Sequence, residues 1–288
     1  MRIGFQKYGT LILVKERGEL DRRLKERGVA VHWAEFAYGP PMLEALNANR
    51  LDFASSGETP PVYALAAQGS DLAYVGYQSA APAGEAVLVD RNSPVRGLAE
   101  LRGRKIAVAR GSNAHYLLTR ALLSSGLQSS DIDLVYLTPA EARSAFESGA
   151  VDAWAVWDFH LAAAETSLHA RILIDGRSLV DNHEVFTSRA AFVREHAELI
   201  DLILDEIAQT DAWTRAHVTE AAELLNRRLN IGVPVLQKAL ERRGYGVHKA
   251  GAELARAQQA IADTLWTQKL LPRRVDVAEA FPTLRVIQ

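Results

Sequence analysis

Residues 52–61 read DFASSGETPP, and this stretch passes from a strand pattern to a helix pattern. Its apolar first half ends in two serines and a glycine, which predicts a short buried strand followed by a turn. Pro60 and Pro61 suit the first turn of a helix, because that turn does not use the N–H groups that proline lacks. The N-terminus of a helix has unpaired N–H groups and a partial positive charge, so it binds anions without Lys or Arg. The stretch is therefore either an ordinary capped helix or one part of an anion site.

Composition excludes several classes of function. The chain has 288 residues and a formal net charge of -2, so it has no basic field for nucleic acid. It contains no Cys, which excludes disulfides, thiolate metal sites and a Cys nucleophile. Its 8 His residues are scattered without the spacing of metal ligands, and no stretch approaches the ~18 uninterrupted apolar residues of a membrane span. We expect no metal and no cofactor.

Short apolar runs alternate with helical patterns over most of the first 174 residues. The Ala-, Pro- and Gly-rich segment 78–84 interrupts this alternation, which resumes after it, and the chain beyond residue 189 is almost entirely helical in pattern. Alternating strands and helices predict an α/β fold with parallel sheets covered on both faces. The two extended runs 85–90 and 185–188 are expected to pair with each other.

Two segments of the chain align without a gap. Residues 45–52 and 145–152 each contain a helix end, a turn and an Asp at the start of a strand. The alignment predicts two similar α/β halves, with ligand-binding loops at the carboxyl ends of the strands. Chance similarity of a common helix–turn–strand pattern is the alternative.

These features, taken in order, resemble the substrate-binding proteins of ABC importers for aliphatic sulfonates, in the nitrate/sulfonate/taurine-binding family. The resemblance covers nearly the whole chain. It is carried by IGFQK at 3–7, EF at 35–36, GP at 39–40, MLEALN at 42–47, SGETPP at 56–61, YVG at 74–76, NSP at 92–94, KIA at 105–107, GS at 111–112, LTPA at 137–140, VDAWAVWD at 151–158, LP at 271–272 and VDV at 275–277. One departure is Arg110, where relatives often carry a different polar residue.

The resemblance implies a two-lobe periplasmic-binding-protein fold (type II), in which each lobe is a sheet flanked by helices and two crossover strands form the hinge. Lobe I would comprise 1–83 and 186–288, lobe II would comprise 84–185, and the ligand would bind in a cleft between them. The implied function is to bind alkanesulfonates by lobe closure and to deliver them to the permease and ATPase subunits of the importer for sulfur acquisition. A monomeric, non-enzymatic periplasmic protein is implied. Because the first strand follows Met1 directly, we expect the mature form, without its secretion signal.

A sulfonate is a permanent anion with three oxygens, and it is best held by neutral donors and helix N-termini. The candidate ligand-binding residues are Gln6, Ser56, Gly57, Glu58 and Thr59 in lobe I, and Gly111, Ser112, Asn113, His115, Trp157 and Asp158 in lobe II, with Arg110 and Trp154 as further candidates.

Four of these candidates have alternative interpretations. His115 either donates to the ligand or is a histidine on a helix surface. Trp154 either packs in the core or lines the cleft beside Trp157. The carboxylates of Glu58 and Asp158 would repel an anion, so each caps a helix, pairs with a basic residue or holds the cationic end of a zwitterionic sulfonate.

Other functions on this fold remain as alternatives. Taurine, nitrate or a pyrimidine precursor of thiamine are possible ligands, although a tryptophan-lined cleft favours an anion with an organic tail. A thiamine-pyrimidine synthase resembling this fold depends on a Cys-rich iron motif, and this chain has no Cys.

Overall fold

The computed structural model describes residues 1–281, in which strands and helices alternate. The strands are β1 (Arg2–Gln6), β2 (His32–Phe36), β3 (Phe53–Gly57), β4 (Leu72–Gln78), β5 (Glu85–Val89), β6 (Lys105–Val108), β7 (Asp133–Tyr136), β8 (Ala153–Trp157), β9 (Arg171–Asp175), β10 (Glu184–Arg189) and β11 (Val247–Lys249). The α-helices are α1 (Thr10–Arg17), α2 (Glu19–Lys25), α3 (Gly39–Asn47), α4 (Thr59–Ala66), α5 (Asn113–Ser124), α6 (Pro139–Glu147), α7 (His160–Ser167), α8 (Ala190–Glu195), α9 (Ala197–Ala216), α10 (Val218–Leu229), α11 (Val233–Glu241) and α12 (Ala252–Thr267).

These elements form two units. The first unit contains residues 1–79, 183–228 and the part of the chain that begins at 244, and the second contains 80–182 and 229–243. The chain therefore passes from one unit to the other four times within the described residues. Segment 229–243 was expected in the first lobe, whereas in the structure this segment, which contains α11, packs with the second unit. No helix among residues 1–281 is long and apolar enough to cross a membrane.

Each unit is built on one mixed sheet. The strand order is β11-β4-β10-β3-β1-β2 in the first unit and β7-β6-β8-β5-β9 in the second. The strands β1, β2 and β3 are parallel, as are β6, β7 and β8, while β10 and β5 run antiparallel to their neighbours. The expected pairing of 85–90 with 185–188 is wrong, because β5 and β10 lie in different sheets. Each is a largely buried strand with a strand on both sides, so each completes the sheet of its own unit.

The internal repeat is confirmed at the level of hydrogen bonds. Asp52 accepts the backbone N–H of Arg2 at 2.8 Å, and Asp152 accepts the backbone N–H of Lys105 at 2.9 Å. In each case the Asp precedes the third strand of the repeat and binds the first residue of the adjacent parallel strand. The two halves therefore repeat the same sequence of helix, turn and strand, which places equivalent loops at the carboxyl ends of equivalent strands.

The predicted strand, turn and helix at 52–61 are confirmed. Strand β3 ends at Gly57, and α4 begins at Thr59 with Pro60 and Pro61 in its first turn. Both prolines are buried, so this helix start is fixed by packing as well as by the fixed φ of proline.

Candidate functional site

In the first unit, the neighbouring parallel strands β1 and β3 bring two predicted segments together at one edge of the sheet. The side-chain amide of Gln6, at the end of β1, donates to the carbonyl of Ser55 at 3.2 Å. Ser56 is buried, and its hydroxyl donates to the carbonyl of Gly57 at 2.9 Å. Thr59, the first residue of α4, is also buried. The structure therefore places Gln6 beside Ser55 and fixes the Gln6 and Ser56 side chains on backbone carbonyls.

Glu58 has a structural role that the sequence could not assign. Its side chain is 2% exposed, and its carboxylate accepts the backbone N–H of His183 at 3.1 Å. The side chain makes no capping hydrogen bond to α4, although Glu58 is the residue that precedes this helix. Of the three interpretations from sequence, hydrogen-bonded helix capping is therefore wrong. The carboxylate instead holds the backbone at the point where the chain re-enters the first unit.

A second carboxylate near this site, that of Glu184, was missed by the sequence analysis. It accepts the backbone N–H of Thr10, the first residue of α1, with both oxygens at 3.2 Å, and it accepts the hydroxyl of Ser55. The protein therefore supplies its own anion to the N-terminus of α1. Gly9 has φ 111°, and a Cβ there would lie 2.7 Å from the Glu184 carboxylate, so this approach requires glycine. The sequence offered no signal for a contact between residues so far apart in the chain.

In the second unit, the N-terminus of α5 has a complete side-chain cap. The hydroxyl of Ser112 accepts the backbone N–H of His115 at 3.2 Å and donates to the carbonyl of Ala109 at 2.7 Å. Gly111 has φ 74°, a region that favours glycine, and its N–H donates to Nδ1 of His115 at 3.2 Å. The Gly111 N–H, which the sequence analysis assigned to the ligand, is therefore already used within the protein.

His115 is a buried neutral donor rather than a surface histidine. Its side chain is 1% exposed, and because Nδ1 accepts a hydrogen bond, the proton lies on Nε2. The described residues provide no hydrogen-bond partner for Nε2. Burial, with a smaller contribution from the charge of Arg110, lowers the pKa of His115 to about 4. The ring therefore presents an N–H donor without a charge at neutral pH, and the interpretation as a helix-surface histidine is wrong.

Arg110 is exposed beside this helix start. Its guanidinium lies 5.4 Å from the ring centroid of Tyr136, and the same ring contacts His115 edge to face at 5.5 Å. A cation–π contact of this kind orients a long side chain while leaving its charge in solvent. Arg110 therefore adds positive potential next to the N-terminus of α5.

Asn113 begins α5 and is buried. Its side-chain amide donates to the side-chain oxygen of Asn182 at 2.7 Å. Asn182 was not a candidate in the sequence analysis. The polar run Asp-Asn-His at 181–183, between two apolar segments, is the signal that marks it as a loop residue.

The two tryptophans of β8 lie on opposite faces of the second sheet, because side chains alternate along a strand. Trp154 is buried with Phe146 in the hydrophobic cluster on one face, which makes it a core residue and excludes it from the candidate ligand set. Trp157 is partly buried and packs against the cluster on the other face, which includes Ala114 of α5. Of the two, only Trp157 lies on the same side as the start of α5.

Asp158 is fully buried and forms part of an ion-pair network. Its carboxylate accepts the backbone N–H of Ala162 at 2.9 Å and lies 3.5 Å from a guanidinium nitrogen of Arg242, which also binds Glu165 at 2.6 Å. Burial raises the pKa of Asp158 to about 7, even though Arg242 acts in the opposite direction. Of the interpretations made from sequence, the structure therefore shows two, because the carboxylate binds an N–H of the first turn of α7 and also pairs with a basic residue. Arg242, on the segment 229–243, was not found from sequence.

Among residues 1–281, no group of three or more His, Asp and Glu side chains converges as a metal site would require. The residues at the starts of α4 and α5 are mainly neutral hydrogen-bond donors at helix N-termini. Such groups bind an anion without leaving a buried countercharge when the anion departs.

Comparisons with known proteins give a consistent family. The model of the NMT1-like family matches residues 2–228. A protein of Escherichia coli (strain K12) that is named for binding aliphatic sulfonates is 38% identical over 281 residues, which is 97% of this chain and 87% of the relative. The alkanesulfonate-binding protein SsuA from Xanthomonas axonopodis pv. citri, solved with bound MOPS, is 36% identical with a TM-score of 0.93, covering 98% of this chain and 97% of the other.

The periplasmic aliphatic sulphonate binding protein SsuA from Escherichia coli is 37% identical with a TM-score of 0.89, covering 98% of this chain and 91% of the other. The α/β periplasmic-binding-protein fold predicted from sequence is confirmed by these structural matches. By sequence and by fold, the chain belongs to the NMT1-like family, together with the aliphatic sulfonate-binding proteins.

Proposed function

We propose that this protein is the substrate-binding component of an ABC importer and that it binds aliphatic sulfonates. The observation that carries the proposal is its similarity over nearly the whole length to alkanesulfonate-binding proteins, at 36% identity and a TM-score of 0.93 for one solved with a sulfonate buffer. The ligand would be delivered to a permease and its ATPase subunits for use as a sulfur source. The protein would act in the periplasm as a monomer and would catalyse no reaction.

The hydrogen-bond donors at the starts of α4 and α5 support an anionic ligand. The α5 start combines a capped helix N-terminus with the neutral Nε2–H donor of His115, and the exposed Arg110 increases the local positive potential. In the first unit, the candidate hydrogen-bond donors are Ser56, Gly57 and Thr59. We propose that Trp157 contacts the organic tail of the ligand.

Isothermal titration calorimetry of the purified protein tests the proposal. The ligands are a series of alkanesulfonates of increasing chain length, together with taurine, nitrate and sulfate. A carboxylate of matched length serves as the control, because it has the same tail and one oxygen fewer in the head group. We expect binding of the alkanesulfonates, with weaker binding of the carboxylate and of the inorganic anions. Binding of nitrate alone, or of none of these ligands, would contradict the proposal.

The contribution of each unit is tested separately with Ser56→Ala and Ser112→Ala. Both hydroxyls hold the backbone beside a helix start, so their loss should disturb the N–H groups that face the ligand. We expect each substitution to weaken alkanesulfonate binding by about 1–3 kcal/mol. Unchanged affinity in both variants would place the anion elsewhere.

A further inference from the structure

Two consecutive residues mark the return of the chain from the second unit to the first. Asn182 is the last residue of the second unit before this crossover, and His183 is the first residue of the first unit after it. Each of them is hydrogen-bonded to a residue of the candidate ligand site in its own unit. Asn113 binds the side chain of Asn182, and Glu58 binds the backbone of His183.

In the second unit the connection continues to the other crossover strand. The Asn182 side chain accepts from Asn113 at 2.7 Å and donates to the carbonyl of Ala81 at 2.9 Å. Ala81 follows directly after the point where the chain first enters the second unit, at residue 80. Asn182 has φ 54°, a left-handed conformation that Asn adopts more readily than most residues. One amide side chain thus links the start of α5 to two of the four chain segments at the boundary of this unit.

The first unit has a matching arrangement. The buried carboxylate of Glu58 accepts the His183 N–H at 3.1 Å. The ring of His183 donates from Nδ1 to the carbonyl of Gln78 at 2.7 Å, and Gln78 lies two residues before the chain leaves this unit. The start of α4 is therefore linked through His183 to two of the four chain segments at the boundary of the first unit.

We propose that Glu58 and Asn113 are positioning residues that couple the ligand site to the chain crossovers at 79–81 and 182–183. The inference rests on the proposed function. A ligand bound at the N-terminus of α4 fixes Glu58, and a ligand bound at the N-terminus of α5 fixes Asn113, and these are the residues from which the hydrogen bonds start. Because buried hydrogen bonds are directional and costly to leave unmade, fixing one end restricts the backbone at the other. The crossovers are the segments that must change their φ and ψ angles if the units move when a ligand binds.

This coupling also explains the negative charge of Glu58 in an anion-binding protein. The carboxylate is directed to a backbone N–H of the crossover, and an ionised acceptor makes a stronger hydrogen bond than a neutral one. Glu58 therefore acts through His183, and its charge holds the crossover.

The test uses Asn182→Gly, which removes the side-chain link while glycine keeps the left-handed backbone conformation. The matched control is Ser178→Gly, because Ser178 is an exposed residue of the same unit with φ 66°. Glu58→Ala removes the link in the first unit, and Glu58→Gln retains an acceptor for the His183 N–H without the charge.

Two measurements are made with an alkanesulfonate that the wild type binds. Stopped-flow fluorescence gives the association and dissociation rates. Because the chain has no Cys, the exposed pair Glu44→Cys and Glu147→Cys places one dye on each unit without background labelling, and resonance energy transfer then reports a ligand-induced change.

We expect Asn182→Gly and Glu58→Ala to release the ligand about tenfold faster, the scale of one lost buried hydrogen bond, and to show a smaller change in energy transfer at saturation. Ser178→Gly should match the wild type, and Glu58→Gln should recover only part of the loss in Glu58→Ala, because it keeps the acceptor but not the charge. Dissociation rates and energy-transfer changes that equal those of Ser178→Gly in both link variants would overturn the inference. If the wild type itself binds no sulfonate, the proposed function fails, and this outcome is distinct because it precedes any comparison of variants.

Discussion

The repeated aspartates offer a direct test of how burial sets the strength of an ion pair. Asp52 is buried, its carboxylate lies 2.6 Å from a guanidinium nitrogen of Arg2 and 3.0 Å from one of Arg189, and it also accepts the Arg2 N–H. Asp152 occupies the equivalent position in the second unit, but its contact with Arg104 is 3.3 Å long and both side chains are more than a third exposed. The substitutions Asp52→Asn and Asp152→Asn therefore remove the same charge from two different environments.

The free energy of unfolding that Asp52→Asn should lose follows from the pKa of Asp52. Burial by itself raises this pKa, but the hydrogen bonds from Arg2 and Arg189 outweigh it and lower the pKa from 3.8 to about 2. A lowered carboxyl pKa stabilises the folded state at pH values above the unfolded pKa. A difference of nearly two pKa units corresponds to about 2 kcal/mol at neutral pH, and this contribution is lost as the pH falls from about 4 to about 2. We expect Asp52→Asn to lower the free energy of unfolding by about that amount, and Asp152→Asn to lower it by less than about 1 kcal/mol.

Urea unfolding followed by circular dichroism measures both effects, with each transition fitted separately if the two units unfold apart. The difference between Asp52→Asn and the wild type should shrink when the measurement is repeated near pH 2.5. This pH lies well below the pKa of Asp52 in the unfolded chain and close to its pKa of about 2 in the folded protein, so most of the charge contribution is lost. Equal losses for the two variants at neutral pH would refute the argument from burial. A loss in Asp52→Asn that stays the same at low pH would refute the argument from charge.

Three further predictions concern the second unit. Ser112→Ala removes the cap of α5 and should lower the free energy of unfolding by about 1 kcal/mol. The control Ser144→Ala, within α6, should change the free energy of unfolding by less than about 0.5 kcal/mol. Equal losses for the two variants in urea unfolding would contradict the capping role. His115 stays neutral above its lowered pKa of about 4, and Asp158 titrates only near its raised pKa of about 7, so calorimetry should find alkanesulfonate affinity constant within about twofold from pH 5 to 6. Affinity that rises steeply on acidification over this range would show a charged imidazole at the site. Trp157→Ala should weaken binding of long-chain sulfonates by about 1–2 kcal/mol more than binding of methanesulfonate, and equal losses for both would remove Trp157 from the tail site.

Much of the fold was predictable because its signals are local. The strand, turn and helix at 52–61 depend on small residues and two prolines that are adjacent in sequence. The capping box at Thr138 and Glu141 follows a local four-residue pattern and is present with both of its hydrogen bonds. The internal repeat was visible because the turn and the Asp recur at the same spacing.

The partners of the candidate site residues were not predictable. Glu58 and Asp158 look alike in sequence, since each follows a buried strand and precedes a helix. In the structure, Glu58 accepts the backbone N–H of His183 at the crossover, whereas Asp158 pairs with the guanidinium of Arg242. Both partners are distant in sequence, and no local pattern specifies which polar group a buried carboxylate will meet.

The sequence by itself determined the order of strands and helices and the family, because these depend on short-range backbone preferences and on motifs that are read in order. Only the tertiary structure decided that Trp154 belongs to the core while Trp157 lies on the face of α5, that the Gly111 N–H is held by His115, and that 229–243 packs with the second unit. It also decided that Glu58, within the stretch DFASSGETPP, binds the backbone N–H of His183 at the chain crossover. The physical reason is that burial and hydrogen-bond partners are set by segments that are distant in the chain, and their positions follow from packing rather than from local sequence.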